Sequence, residues 1–130
     1  MQEPIWIRTI EAYAFHELQI TLFGGTLGVR DNGLLESALA RPKNHFAYSD
    51  PAPGICVLAA AYAAGISSNH PFLDGNKRTA MHVAFVFLEF NGLRVTASEE
   101  DAYLTILGLA AGEISEEELA AWFERNTQPR

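Results

Sequence analysis

Basic residues are scarce in this chain: nine Lys and Arg stand against 16 Asp and Glu among 130 residues, a formal net charge of -7. Binding to a nucleic acid leans on clustered cations that neutralise phosphates, so DNA and RNA are poor candidate partners. Cysteine is nearly absent, and the single Cys56 excludes an internal disulfide framework and fits a reducing compartment. Long apolar runs are missing too. The longest, around Ile55 to Ile66 and Ala80 to Phe90, fall short of the ~18 to 20 residues that cross a bilayer. Met1 to Pro4 carry no basic segment ahead of an apolar run, so no secretory leader is expected and the cytoplasm is the expected compartment. His16, His45 and His82 lack any spacing that gathers a transition metal and are expected at the surface or in packing.

Apolar residues are plentiful, at 48%, enough for a single domain over 1–130 that buries roughly two thirds of its unfolded surface. Their spacing and the stop signals predict an all-α bundle. A first helix is expected from about Ile10 to Phe23, stopped by Gly24-Gly25; a second starts near Asp31 or Asn32 and ends before Pro42. Pro42 to Pro53 reads as an irregular or hairpin-like loop. A third helix, Gly54 to Ser68, is rich in small residues that let neighbours approach closely. A fourth, Asn76 to Phe90, is apolar on nearly every face past its first turn and is expected at the centre of the bundle. Leu93 to Ala97 reads as a link, and Ser98 with Asp101, then Ser115 with Glu118, as capping pairs of two closing helices. The run Glu116 to Glu118 is then a solvated first turn that suits the helix dipole.

The stretch His70-Pro71-Phe72-Leu73-Asp74-Gly75-Asn76-Lys77-Arg78-Thr79 carries the chemistry. Lys77 and Arg78 open a helix, where the dipole is already positive and a cation costs a few tenths of a kcal/mol, up to ~1. An anion should therefore sit there. Free main-chain N–H groups at the same helix end favour a phosphate, and Gly75 lets it approach the backbone closely. Asp74 offers one hard oxygen ligand, which is enough for Mg²⁺ when phosphate oxygens and water complete its shell. His70 stands before Pro71, which is expected to hold it extended and clear of the preceding helix; its ring can accept a proton near neutral pH. Together these residues suit transfer between a magnesium nucleotide and a hydroxyl. A P-loop reading fails, because the first glycine at the required spacing and a preceding strand are both missing.

The string HPFLDGNKRT resembles the signature of Fic-fold proteins and, within them, of the death-on-curing (Doc) toxin branch. Gly24-Gly25, the run from Gly28 to Pro42 and Phe87 to Gly92 resemble that branch as well, so the likeness covers nearly the whole chain. Two positions separate it from Fic adenylyltransferases, which usually carry glycine where Lys77 stands and a second arginine where Met81 stands. The inhibitory motif of those enzymes, Ser or Thr followed by three residues, Glu and then Gly or Asn, does not occur. The resemblance implies a Fic fold with a short flap loop or hairpin at Arg41 to Asp50, bearing Phe46 and Tyr48, that docks the target segment by strand addition. It implies His70 as the base, Asp74 as the Mg²⁺ ligand, Asn76, Lys77 and Arg78 as phosphate holders, and Phe72 as a buried anchor. The activity implied is phosphoryl transfer from ATP to a threonine of translation elongation factor Tu, restrained by a small antitoxin. A nucleotidyl transferase using the same pocket, or a silent nucleotide- or antitoxin-binding module, are the competing readings.

Overall fold

Gly24 closes the first helix: α1 spans Thr9–Phe23, and the Gly24 N–H donates to the Ile20 carbonyl (2.8 Å). The computed structural model, which describes residues 2–130, continues with α2 (Asn32–Tyr48), α3 (Ile55–Asn69), α4 (Asn76–Phe90), β1 (Leu93–Val95), α5 (Glu99–Ala110), α6 (Glu116–Arg125) and β2 (Thr127–Pro129). The fold is all-α, and its helix starts follow the capping chemistry. Asp31 accepts the Leu34 N–H (3.0 Å), Ser98 accepts that of Asp101 (3.1 Å), and Ser115 and Glu118 complete a reciprocal box at 3.0 Å each way.

Three expectations are corrected. Proline does not end α2, which runs on through Pro42 to Tyr48 and removes the hairpin-like loop from all but the last residues before Gly54. Pro42 takes the N–H away from the Ala38 carbonyl, yet that part of α2 is buried against α3. Gly65 of α3 makes the contact possible: a Cβ there would stand 3.2 Å from Ala38 Cα and 3.3 Å from its carbonyl oxygen. Packing at this crossing outweighs one lost helical hydrogen bond. Phe46 consequently lies on the last turns of α2 with its ring edge-on to Trp6 (centroids 5.7 Å), while Tyr48, at the helix end, is 85% exposed.

The second correction concerns the centre. α3 packs against α2, α4, α5 and α6, and its Leu58, Ala59, Ala60, Tyr62, Ala63 and Ile66 are wholly buried, so it is more central than α4. α4 buries one face (Ala80, Val83, Ala84, Phe87, Leu88) but leaves Phe85, Val86 and Phe90 only partly covered. Cys56 on α3 packs in the core, and burial first, then the nearby Glu124 charge, pushes its thiol pKa up, which suppresses thiolate chemistry.

The third is the segment after α4. Leu93 to Val95 forms a strand paired antiparallel with Thr127 to Pro129, in register Leu93↔Pro129 and Val95↔Thr127. Three-residue strands are too short to show a period-2 pattern in sequence. Arg41 on α2 pairs with Glu116 at the start of α6, closing the bundle on that side. No helix among the described residues is long and apolar enough to cross a membrane.

Candidate functional site

Two loops are sewn together beneath α4. Val29 bridges Phe72 in antiparallel fashion, the Arg30 and Asp31 N–H groups both donate to the Pro71 carbonyl (2.7 and 3.1 Å), and the Leu73 N–H donates to Gly28 (3.0 Å). Asn76 adds a clamp: its amide oxygen accepts the Phe72 N–H and its amide nitrogen donates to the Phe72 carbonyl, both at 3.0 Å. Its side chain is buried and engaged by the loop, so what Asn76 offers a ligand is its main-chain N–H.

His16 of α1 supports the same loop from the core. Its Nε2 lies 2.8 Å from the Asp74 carbonyl, which can only accept, so that nitrogen carries the proton; the ring stacks on Phe72 at 3.9 Å and 6°. His16 is 2% exposed and Phe72 1%. The buried anchor expected at Phe72 is present, whereas the partnership with His16 has no signature in sequence, since 58 residues separate His16 from Asp74. His82, by contrast, stacks on Phe15 and receives the Gln19 amide on Nδ1, remote from the loop.

Asp74 projects to the surface. One carboxylate oxygen accepts the Gly75 N–H (2.9 Å) and the other the Thr26 N–H (3.3 Å), which fixes the group while leaving lone pairs on both oxygens. Gly25 makes room for it: at φ +117° a side chain is strained, and a Cβ would stand 2.7 Å from Asp74 Oδ2. Asp74 does not cap α4. The N-cap is Gly75, in the left-handed region, and no side chain accepts from the first turn.

The first intrahelical donor of α4 is Thr79, to the Gly75 carbonyl (3.0 Å), so the N–H groups of Asn76, Lys77 and Arg78 have no carbonyl below them in the helix. They open on a cleft of about 220 Å³ lined by Phe23, Gly24, Asp74, Gly75, Asn76, Lys77, Arg78 and Tyr103. Among the described residues neither Lys77 nor Arg78 has a carboxylate partner within 4.0 Å; the ion pairs present involve Arg8, Arg41, Arg94 and Arg130. Arg78 instead lies over the rings of Phe23 (3.8 Å) and Tyr103 (4.1 Å).

His70 departs from the extended conformation expected before proline. Its φ and ψ are 48° and 56°, the left-handed region, where it ends α3 with its N–H donating to Ile66 (3.2 Å). Such a conformation costs roughly 1–2 kcal/mol in a residue with a side chain. Arg30 offsets it, donating from Nε to the His70 carbonyl (2.7 Å) and from a terminal nitrogen to that of Asn69 (2.8 Å), both carbonyls at a negative helix end. The His70 ring is exposed, is not among the residues lining the cleft, and has no hydrogen-bond partner among the described residues. The structure thus joins Asp74, Gly75, Asn76, Lys77 and Arg78 at one cleft, sets His70 at the other end of the same loop, and leaves Phe46 and Tyr48 on α2.

The arrangement defines a predominantly helical protein with an uncapped helix start, bearing Lys77 and Arg78, on a cleft and a strained histidine at the far end of the same loop. Residues 6–88 match the model of the Fic/DOC family, and the chain belongs to that family, in its Doc branch. It is 36% identical over 115 residues to "Protein kinase doc" of Escherichia phage P1, covering 88% of this chain and 90% of that one. It is 45% identical over 75 residues to "Toxin Doc" of Mycolicibacterium smegmatis, covering 58% of each.

Proposed function

We propose that this protein is the toxin of a toxin–antitoxin pair and a phosphotransferase that moves the γ-phosphoryl group of ATP to a hydroxyl, a threonine of elongation factor Tu. The observation that carries the reading is the α4 start: no side-chain cap, no acidic residue in its first turn, and two cations without carboxylate partners among the described residues, beside an exposed Asp74. The donor set fits a nucleotide. Main-chain N–H groups of Asn76 to Arg78, the Lys77 ammonium and the Arg78 guanidinium bind phosphate oxygens, with Gly75 leaving the approach open. Among the described residues no three His, Cys, Asp or Glu side chains gather into a metal cage, so Asp74 would hold Mg²⁺ only jointly with phosphate oxygens. Bound there, the cation supplies charge neutralisation.

In the transfer, His70 accepts the proton of the attacking hydroxyl as a bond forms between that oxygen and the γ-phosphorus. The bond from phosphorus to the β,γ-bridging oxygen breaks, and Lys77 and Arg78 hold the charge that develops on the leaving diphosphate. Met81 favours this over nucleotidyl transfer, because the position of a second phosphate-binding arginine in adenylyltransferases is here an apolar side chain only 3% exposed. The exposed Tyr48 and the segment after it are the proposed docking point for the target. Leu27, Leu73 and Phe23, 57%, 53% and 50% exposed beside the cleft, suit an antitoxin that covers the site.

Incubation with Mg²⁺, elongation factor Tu and ATP labelled at the γ or the α phosphate tests the reading. Label entering the factor from the γ position supports it; label from the α position, or none, overturns it. His70→Ala should lower transfer about 10²- to 10⁴-fold with nucleotide affinity unchanged. Equal losses of affinity and rate would remove His70 from the chemistry.

A further inference from the structure

Arginine side chains on a helix surface ordinarily sample many rotamers, and fixing one costs conformational entropy when a ligand binds. Arg78 is not free in that sense. Its Cζ lies 3.8 Å from the Phe23 ring centre and 4.1 Å from that of Tyr103, and two rings cannot share one face of a guanidinium at such range, so it lies between them. Phe23 is the last residue of α1 and Tyr103 belongs to α5, so side chains from both ends of the fold converge on one residue of α4. Both rings also line the cleft. Held between two rings, the guanidinium keeps its N–H groups for the cleft, where they can meet a phosphate with two parallel hydrogen bonds. The clamp also accounts for a phenylalanine that stays 50% exposed at a helix end.

We infer that Phe23 and Tyr103 are positioning residues: an aromatic clamp that pre-orients the Arg78 guanidinium edge toward the cleft before the anion arrives. This rests on the nucleotide reading for what the anion is, but the clamp itself has an independent readout. Protons on the Arg78 side chain, assigned with Arg78→Lys as the control, should resonate well upfield of free arginine in the nucleotide-free protein, shifted by the ring currents. Tyr103→Leu should remove much of that shift and raise the Kd for Mg-ATP about three- to tenfold, because binding must then order a guanidinium that the clamp had already fixed. Tyr103→Phe should restore both shift and affinity, which a hydroxyl role would not allow. Phe23→Leu gives the same result from the other side and serves if Tyr103→Leu lowers the melting temperature.

An Arg78 signal at the free-arginine position in the wild-type chain overturns the clamp. So does a Leu variant that binds as tightly as wild type, or a Phe variant as weak as Leu. A wild-type chain that shows the shift yet binds no Mg-ATP supports the hold on Arg78 and sinks the functional reading instead.

Discussion

The start of α4 and the starts of α5 and α6 solve one problem in opposite ways. All have N–H groups with no carbonyl below them. α5 and α6 satisfy theirs internally: Ser98 and Ser115 cap, and Glu99, Glu100 and Asp101 in one and Glu116, Glu117 and Glu118 in the other match the dipole. α4 has Gly75 at the cap, no acid in its first turn, and Lys77 and Arg78 set against the dipole. A helix start left unsatisfied and positively charged in a chain of net charge -7 is the contrast on which the proposed nucleotide site rests. The comparison separates helix starts that are capped within the fold from the one the proposal assigns to a ligand.

Among effects on nucleotide affinity the largest should come from Arg78→Ala, which removes a charge-assisted hydrogen bond and should weaken Mg-ATP binding by ~2 to 3 kcal/mol in calorimetry. Normal affinity would take Arg78 out of the site. Ser115→Ala should do the reverse, costing about 1 kcal/mol in denaturant unfolding and leaving nucleotide affinity alone. A change in affinity there would show that the two kinds of helix start are not independent. Lys77→Glu sharpens the contrast by making α4 resemble its neighbours: the nucleotide-free fold should gain ~0.3 to 1 kcal/mol as nucleotide affinity falls. A loss of stability would contradict the dipole argument.

The smallest effect concerns His82. Burial lowers its pKa below the ordinary 6.5, with the Glu99 charge opposing more weakly, and the Gln19 amide donating to Nδ1 favours the neutral ring. The unfolded chain therefore takes up a proton that the folded chain resists, and stability falls as pH drops below about 6.5. His82→Gln should flatten this part of the melting-temperature profile. Parallel profiles for the two proteins would refute the assignment.

Local chemistry was legible in the sequence. The caps at Asp31, Ser98 and Ser115, the stop at Gly24, the extent of α4 and the grouping of Asp74 to Arg78 depend on neighbours a few residues apart, and all are found where spacing placed them. What escaped depends on distant partners. Pro42 stays helical because of Gly65, His70 turns left-handed because Arg30 takes its carbonyl, and His16 reaches a loop 58 residues away. The Phe23 and Tyr103 clamp on Arg78 belongs to the same group: each ring alone reads as an ordinary helix-face aromatic. Propensity and spacing describe one element at a time, and each of these features is a contact between two.

The most direct test follows the main-chain amide signals of Asn76, Lys77 and Arg78 by NMR as Mg-ATP is added. Saturable shifts centred on those three residues, with the amides at the starts of α5 and α6 unmoved and the response lost in Arg78→Ala, are the predicted result. Signals that stay in place at saturating nucleotide, or that move only elsewhere in the molecule, would contradict the account.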